Sequence, residues 1–183
     1  RGYTIPEVLR DGTLSSNPKA ITFTGNKNGS IGPPLSISTR WIYAYKNQPG
    51  NYSDWVNLSI TQKISAGEGF FFKGTKDPAT DNNIKDQNHV FIGKPHNGDI
   101  NVQIFANMYY LTGNPYASAL DAQQFILDNL DSTSGVLYFW EHWGNNSHVL
   151  SQYQAGYATY TLAGGVAAVN FNDNSVSPSN KVP

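Results

Sequence analysis

Residues 111–122 read LTGNPYASALDA, and residues 137–143 read LYFWEHW. Together they confine a short stretch of chain to a turn, a helix start and a strongly aromatic strand. Pro115 disfavours the helical region at Asn114, so residues 113–116 read as a turn. Asp121 and Gln124 have capping-box spacing, and Ala122, Phe125, Ile126, Asn129 and Leu130 follow at helical intervals. This predicts one short helix near 121–130. Tyr138, Phe139 and Trp140 are consecutive, so a strand here carries bulky rings on both faces. Such a strand is either covered on both sides or offers one face as a binding platform.

Strand signals dominate elsewhere, at 20–24, 40–46, 69–73, 89–93, 100–105, 108–112, 135–143 and 157–162. Each is rich in β-branched or aromatic residues and bounded by Gly, Pro, Asn or Asp. In 40–46, Trp41, Tyr43 and Tyr45 alternate with Ile42 and Ala44, which predicts two distinct faces. The pattern predicts an all-β chain, an antiparallel β-sandwich with one short helix. A faint duplication runs through it. Residues 21–31 and 90–100 both read as a strand, an Asn-Gly turn (Asn28-Gly29, Asn97-Gly98) and a return strand. WIYAYKN at 41–47 parallels LYFWEHW. One β-rich domain over 1–183 is expected, built from two related halves at 15–75 and 85–183.

Charged residues make up only 14% of the chain, against roughly 25% in ordinary soluble domains. Asn, Ser, Thr and Gly supply the polar surface instead, as in many extracellular β-proteins. Twelve basic and thirteen acidic residues nearly cancel, without a basic run, which argues against nucleic-acid binding. The absence of cysteine removes disulfides, thiolate metal sites and thiol nucleophiles. The apolar runs are too short to span a bilayer, so no membrane insertion is expected. Arg1-Gly2-Tyr3 reads as the interior of a longer protein.

In order along the chain come GEGFFFK at 67–73, FIGKPHNGDI at 91–100, GNPYASALDA at 113–122, LYFWEHW at 137–143 and YQAGYATYTLAGG at 153–165. This run resembles a domain recurrent in large secreted and cell-surface proteins of Bacteroidetes, commonly exported by type IX secretion. The resemblance covers roughly residues 65–170. Ala117 stands where that pattern has Pro, and its closing G-Q-G-F-F strand is missing before Pro183. The resemblance implies a secreted or surface location and a role in adhesion or polymer handling.

Few residues suggest chemistry. Glu68 and Glu141, two of three glutamates, would have to pair for a glycosidase. No nucleophile–base set accompanies them. His142 and His148 lack a third ligand nearby. Asp77, Asp81, Asn83 and Asp86 form an oxygen-rich loop suited to weak calcium binding, with a merely solvated loop as the plainer reading; no other cofactor is expected. Asn172, Asp173 and Asn174 invite the same comparison. Gly113, Asn114, Pro115, Tyr116 and Asp121 read as structural, fixing the turn and capping the helix.

Of the four tryptophans, Trp140 is expected in the core, with Trp143 and Trp55 exposed beside polar loops. Exposed aromatics stack on sugar rings, which makes Trp143, Trp55, Tyr52 and His142 the candidate ligand-binding residues. The leading reading is a non-catalytic adhesive or architectural module of a large bacterial surface protein. Its partners would be extracellular polysaccharide, a cell surface or neighbouring domains. The alternative is a dedicated carbohydrate-binding module, with a hydrolase third.

Overall fold

The computed structural model describes residues 2–12, 16–32, 34–75, 87–143, 149–178 and 183. The chain forms two compact units, residues 1–119 and 120–183. The division falls later than the interval between 75 and 85 that the duplication suggests.

The first unit begins with α1 (Ile5–Val8), a single turn whose Glu7 carboxylate accepts from the Thr4 N–H at 2.7 Å and the Thr4 hydroxyl at 2.9 Å. Among the described residues ten short strands follow: β1 (Leu9–Asp11), β2 (Lys19–Ala20), β3 (Thr22–Thr24), β4 (Ser36–Ser38), β5 (Ile42–Ala44), β6 (Lys46–Gln48), β7 (Val56–Asn57), β8 (Phe71–Phe72), β9 (His89–Phe91) and β10 (Tyr109–Tyr110). They pair as β2-β1-β9, β7-β5-β8, β10-β6 and β3-β4. The last pair is parallel, Thr22–Thr24 against Ser36–Ser38, and the others are antiparallel. Ile5, Leu9, Ile21, Leu35, Ile37, Ile42, Ala44 and Leu58 make one buried cluster, with Phe70 and Phe72 packed against it.

The second unit holds α2 (Ala122–Asp128) and a three-stranded antiparallel sheet of β11 (Leu137–His142), β12 (Ala155–Thr161) and β13 (Gly164–Val166). Its buried positions are small or polar: Ala155, Ala158, Ala168, Asn170 and Ser177, with Ile126 from α2.

The all-β expectation holds, with its short helix where the capping pattern puts it. Three local readings do not. Residues 21–31 and 90–100 are not hairpins, because β3 pairs with β4 and β9 pairs with β1. The 40–46 strand breaks at Tyr45, whose ring turns inward although the alternation put it opposite Ile42 and Ala44. Its hydroxyl accepts from the Gly50 N–H at 2.8 Å and donates to the Asn51 carbonyl at 3.2 Å. Residues 100–105 form no strand. The Asn47 side chain takes up their backbone groups instead, donating to the Gln103 carbonyl at 3.1 Å and accepting from the Phe105 N–H at 2.8 Å. Asn47 manages this from a left-handed conformation, φ 51°, which Asn tolerates.

Candidate functional site

Cross-strand partners in an antiparallel ladder share a face. The register therefore puts Tyr138, Trp140 and His142 of β11 on one face with Thr159, Tyr157 and Ala155 of β12. Two rings join them from outside the strands, Tyr153 just before β12 and Phe171 beyond β13. The Trp140 ring lies 4.9 Å from Tyr157, 6.3 Å from Tyr153 and 6.5 Å from Phe171. Tyr138 meets Tyr157 edge-on at 6.2 Å, and His142 stacks on Tyr153 at 4.3 Å with planes 17° apart. Each such contact contributes about 0.5–1.5 kcal/mol beyond burial. The rings still keep wide solvent contact: Tyr138 is 46% exposed, Tyr157 42% and Phe171 47%. Burial pushes the His142 imidazole below its usual value, favouring the neutral ring.

A tight turn carries Phe171 to this face. Val169 bridges Val176, the Asn170 N–H donates to the Ser175 carbonyl, and the Ser177 N–H donates to the Ala168 carbonyl. At the tip, Asp173 Oδ1 accepts from Asn170 Nδ2 at 2.8 Å, the Ser175 N–H at 2.9 Å and the Ser175 hydroxyl at 2.6 Å. The Ser175 donors hold the Asp173 carboxyl below the usual range, although burial opposes them. Asn172 Nδ2 donates to the Tyr153 carbonyl at 2.8 Å, which ties the turn to the base of the platform. The 172–174 oxygens are thus knitted into the turn itself. Gly156 permits the close approach, since a Cβ there would sit 1.9 Å from the Val169 carbonyl oxygen.

The four candidate ligand residues are divided between the units. Tyr52 and Trp55 belong to the first unit, His142 and Trp143 to the second. Tyr52 is 63% exposed, but Trp55 is half-buried, with Tyr45 at 5.1 Å and Phe71 at 6.4 Å. Trp143 is also half-buried, and its N–H donates to the Gln154 carbonyl at 2.9 Å. Trp140, expected in the core, is half-buried at the centre of the platform, while the described buried positions of this unit go to small or polar residues and Ile126. Of the two in the second unit, His142 belongs to the aromatic face, which also carries Tyr138, Tyr153, Tyr157 and Phe171, none of them among the sequence candidates. Their signal was available in the period-two spacing of Tyr138, Trp140 and His142 and in a facing strand with Tyr157.

Glu68 serves a different purpose. Burial raises its carboxyl, but Lys46 at 2.8 Å and the Ser65 N–H at 2.9 Å outweigh that and hold it below the usual range. Glu141 points to the face opposite Trp140, beside Gly156. Asp77, Asp81, Asn83, Asp86 and His148 lie outside the described residues. Among the described residues no three His, Asp or Glu side chains converge as a metal set, and no helix is long and apolar enough to cross a membrane.

In the GNPY turn, Asn114 Oδ1 accepts from the Tyr116 N–H at 2.9 Å and Nδ2 donates to the Ser118 carbonyl at 2.6 Å. The Tyr116 hydroxyl donates to the Gly98 carbonyl at 2.8 Å. The Gly113 N–H donates to the Gly67 carbonyl, where a Cβ on Gly113 would meet the Glu68 carbonyl oxygen at 2.8 Å. Asp121 caps α2, accepting from the Gln124 N–H at 3.0 Å. Gln124 does not reach back as in a full capping box; its amide donates forward to Asp128 at 2.7 Å.

Charge separates the two units as sharply as packing does. Between Lys94 and Lys181 the chain has no Lys or Arg, so the aromatic face sits in a unit whose described charges are all acidic. No curated protein and no solved structure matches the chain. One family profile does, described as a domain of unknown function (DUF8693), and it spans residues 16–182. With nearly its whole length matched, the chain belongs to that family.

Proposed function

We propose that this chain is a non-catalytic adhesive module of a large secreted or cell-surface bacterial protein, making contact through the aromatic face of residues 120–183. The observation that carries the reading is the set of half-exposed rings on β11, β12 and the Phe171 turn, centred on Trp140. A soluble domain that leaves contiguous apolar area in water does so at a cost, and such areas mark contact surfaces. The mostly small or polar buried positions support this, since Tyr138, Tyr157 and Phe171 stay exposed rather than serving as filling.

The test is adhesion of the purified chain to immobilised bacterial cells and extracellular matrix. Paired Trp140→Ala and Phe171→Ala substitutions should abolish retention while the sheet persists by circular dichroism. Undiminished retention sinks the reading. Release of reducing sugar or cleavage of chromogenic glycosides by the wild-type chain would move it to the hydrolase class.

A further inference from the structure

We infer that the face formed by Tyr138, Trp140, His142, Tyr153, Tyr157 and Phe171 takes a neutral polysaccharide, by ring stacking and without charge pairing; this rests on the adhesive reading above and names its ligand. Three observations lead there. The face is a sheet surface, and Tyr138 to His142 spans about 13 Å along one strand, which suits an extended polymer better than a small molecule in a pocket. Five of the six rings carry polar atoms of their own: three phenols, an indole and an imidazole. A pyranose has the matching character, apolar C–H faces rimmed by hydroxyls.

Charge then selects among polymers. Uronic-acid and sulfated glycans, nucleic acids and teichoic-type phosphates all need cations to hold them. Residues 120–183 contain no Arg and a single Lys, Lys181, against Asp121, Asp128, Asp131, Glu141 and Asp173, which leaves the unit net acidic. An anionic polymer would therefore be repelled. Protein contact surfaces are typically enriched in Arg beside their aromatics, and none is present here. Neutral hexose or N-acetylhexosamine polymers meet no such penalty.

The experiment is affinity electrophoresis of the full chain in gels containing neutral glucan, mannan, galactan or soluble chitin derivatives, with alginate and heparin as anionic arms. At least one neutral polymer should retard the chain, with little sensitivity to salt. Trp140→Ala with Phe171→Ala should weaken retardation about tenfold or more. Tyr138→Ala, at an exposed position, repeats the test where the double variant folds poorly. Phe105→Ala, equally exposed but in the first unit, should change nothing. Retardation by alginate or heparin alone overturns the inference. So does cell adhesion that needs Trp140 and Phe171 in a chain that no neutral polymer retards; the contact surface then stands and its saccharide ligand falls. Adhesion and retardation both indifferent to the variants remove the adhesive reading as well.

Discussion

The first unit builds a core of branched aliphatic side chains, though Val56, Ile92 and Ile104 stay exposed along with Phe91 and Phe105, and the second gathers its rings around a half-buried Trp140. Ile5, Ile37 and Ile42 are wholly buried, and each such burial stabilises by about 1.5–3 kcal/mol. In the second unit the buried positions of the sheet and its following turn go to Ala155, Gly156, Ala158, Ala168, Asn170 and Ser177, which offer little apolar area. Phe171, Tyr138 and Tyr157 would contribute more if buried, yet they remain in water. Packing accounts for the aliphatic cluster of the first unit, whereas the second is marked by mutual ring contacts around Trp140. A surface that holds tryptophan and tyrosine half out of solvent, on a scaffold of mostly small residues, is the feature on which the proposed contact role rests.

The sharpest way to break this contrast is to hollow out the aliphatic cluster. Ile42→Ala should cost about 2–5 kcal/mol, read as a shift in the denaturation midpoint. Hydrogen exchange should locate the loss in residues 1–119, and a loss below about 1 kcal/mol would refute a stability centre there. Gly156→Ala probes the second unit's close-packed backbone. Its Cβ would collide with the Val169 carbonyl, so about 1–3 kcal/mol or more is expected, with loosened protection over 155–177. Asp121→Ala should remove about 0.5–2 kcal/mol by leaving the Gln124 N–H without its cap, and adhesion should be unaffected. Phe171→Ala should cost less stability than Ile42→Ala by a wide margin, because nearly half its surface is already solvated; an equal loss would erase the distinction.

The smallest effect is electrostatic. Burial depresses the imidazoles of His89 and His142, so the folded chain resists protonation that the unfolded chain accepts. Stability should be complete above the ordinary histidine value of about 6.5 and decline as pH falls through it. Stability rising in that interval on acidification would contradict the assignment. The Glu68 pair acts lower, its contribution lost only as pH falls through the depressed carboxylate value.

Much of the fold was legible because local chemistry decides it. Asp121 announces the helix, Pro115 the turn, and the aromatic run at 137–143 a strand, each through groups within a few residues. What the sequence hid was settled by partners far along the chain. Residues 100–105 alternate like a strand but give their backbone to the Asn47 side chain. Tyr45 alternates outward yet turns in to bind Gly50 and Asn51. The platform was half legible: His142 and the idea of a ring-bearing face came from β11 alone. Phe171 is recruited by a turn anchored at Asn170 and Asp173, which no periodicity reveals. Trp140 misled, since tryptophan in a strand usually fills a core, and here mostly small or polar residues take the buried positions. The lack of any Lys or Arg between Lys94 and Lys181 was in plain view, and an overall balance of charges conceals it.

The crowding of rings around Trp140 gives the second unit an optical signature. Tyr153 and Tyr157 lie well within the range over which excited tyrosine passes its energy to an indole. In the folded chain their emission should therefore appear as tryptophan light. Opening the sheet would separate donors from acceptor and restore tyrosine fluorescence. A ligand laid across the rings would instead shift the indole emission while transfer stayed intact. One spectrum thus distinguishes a face that has been occupied from a unit that has come apart.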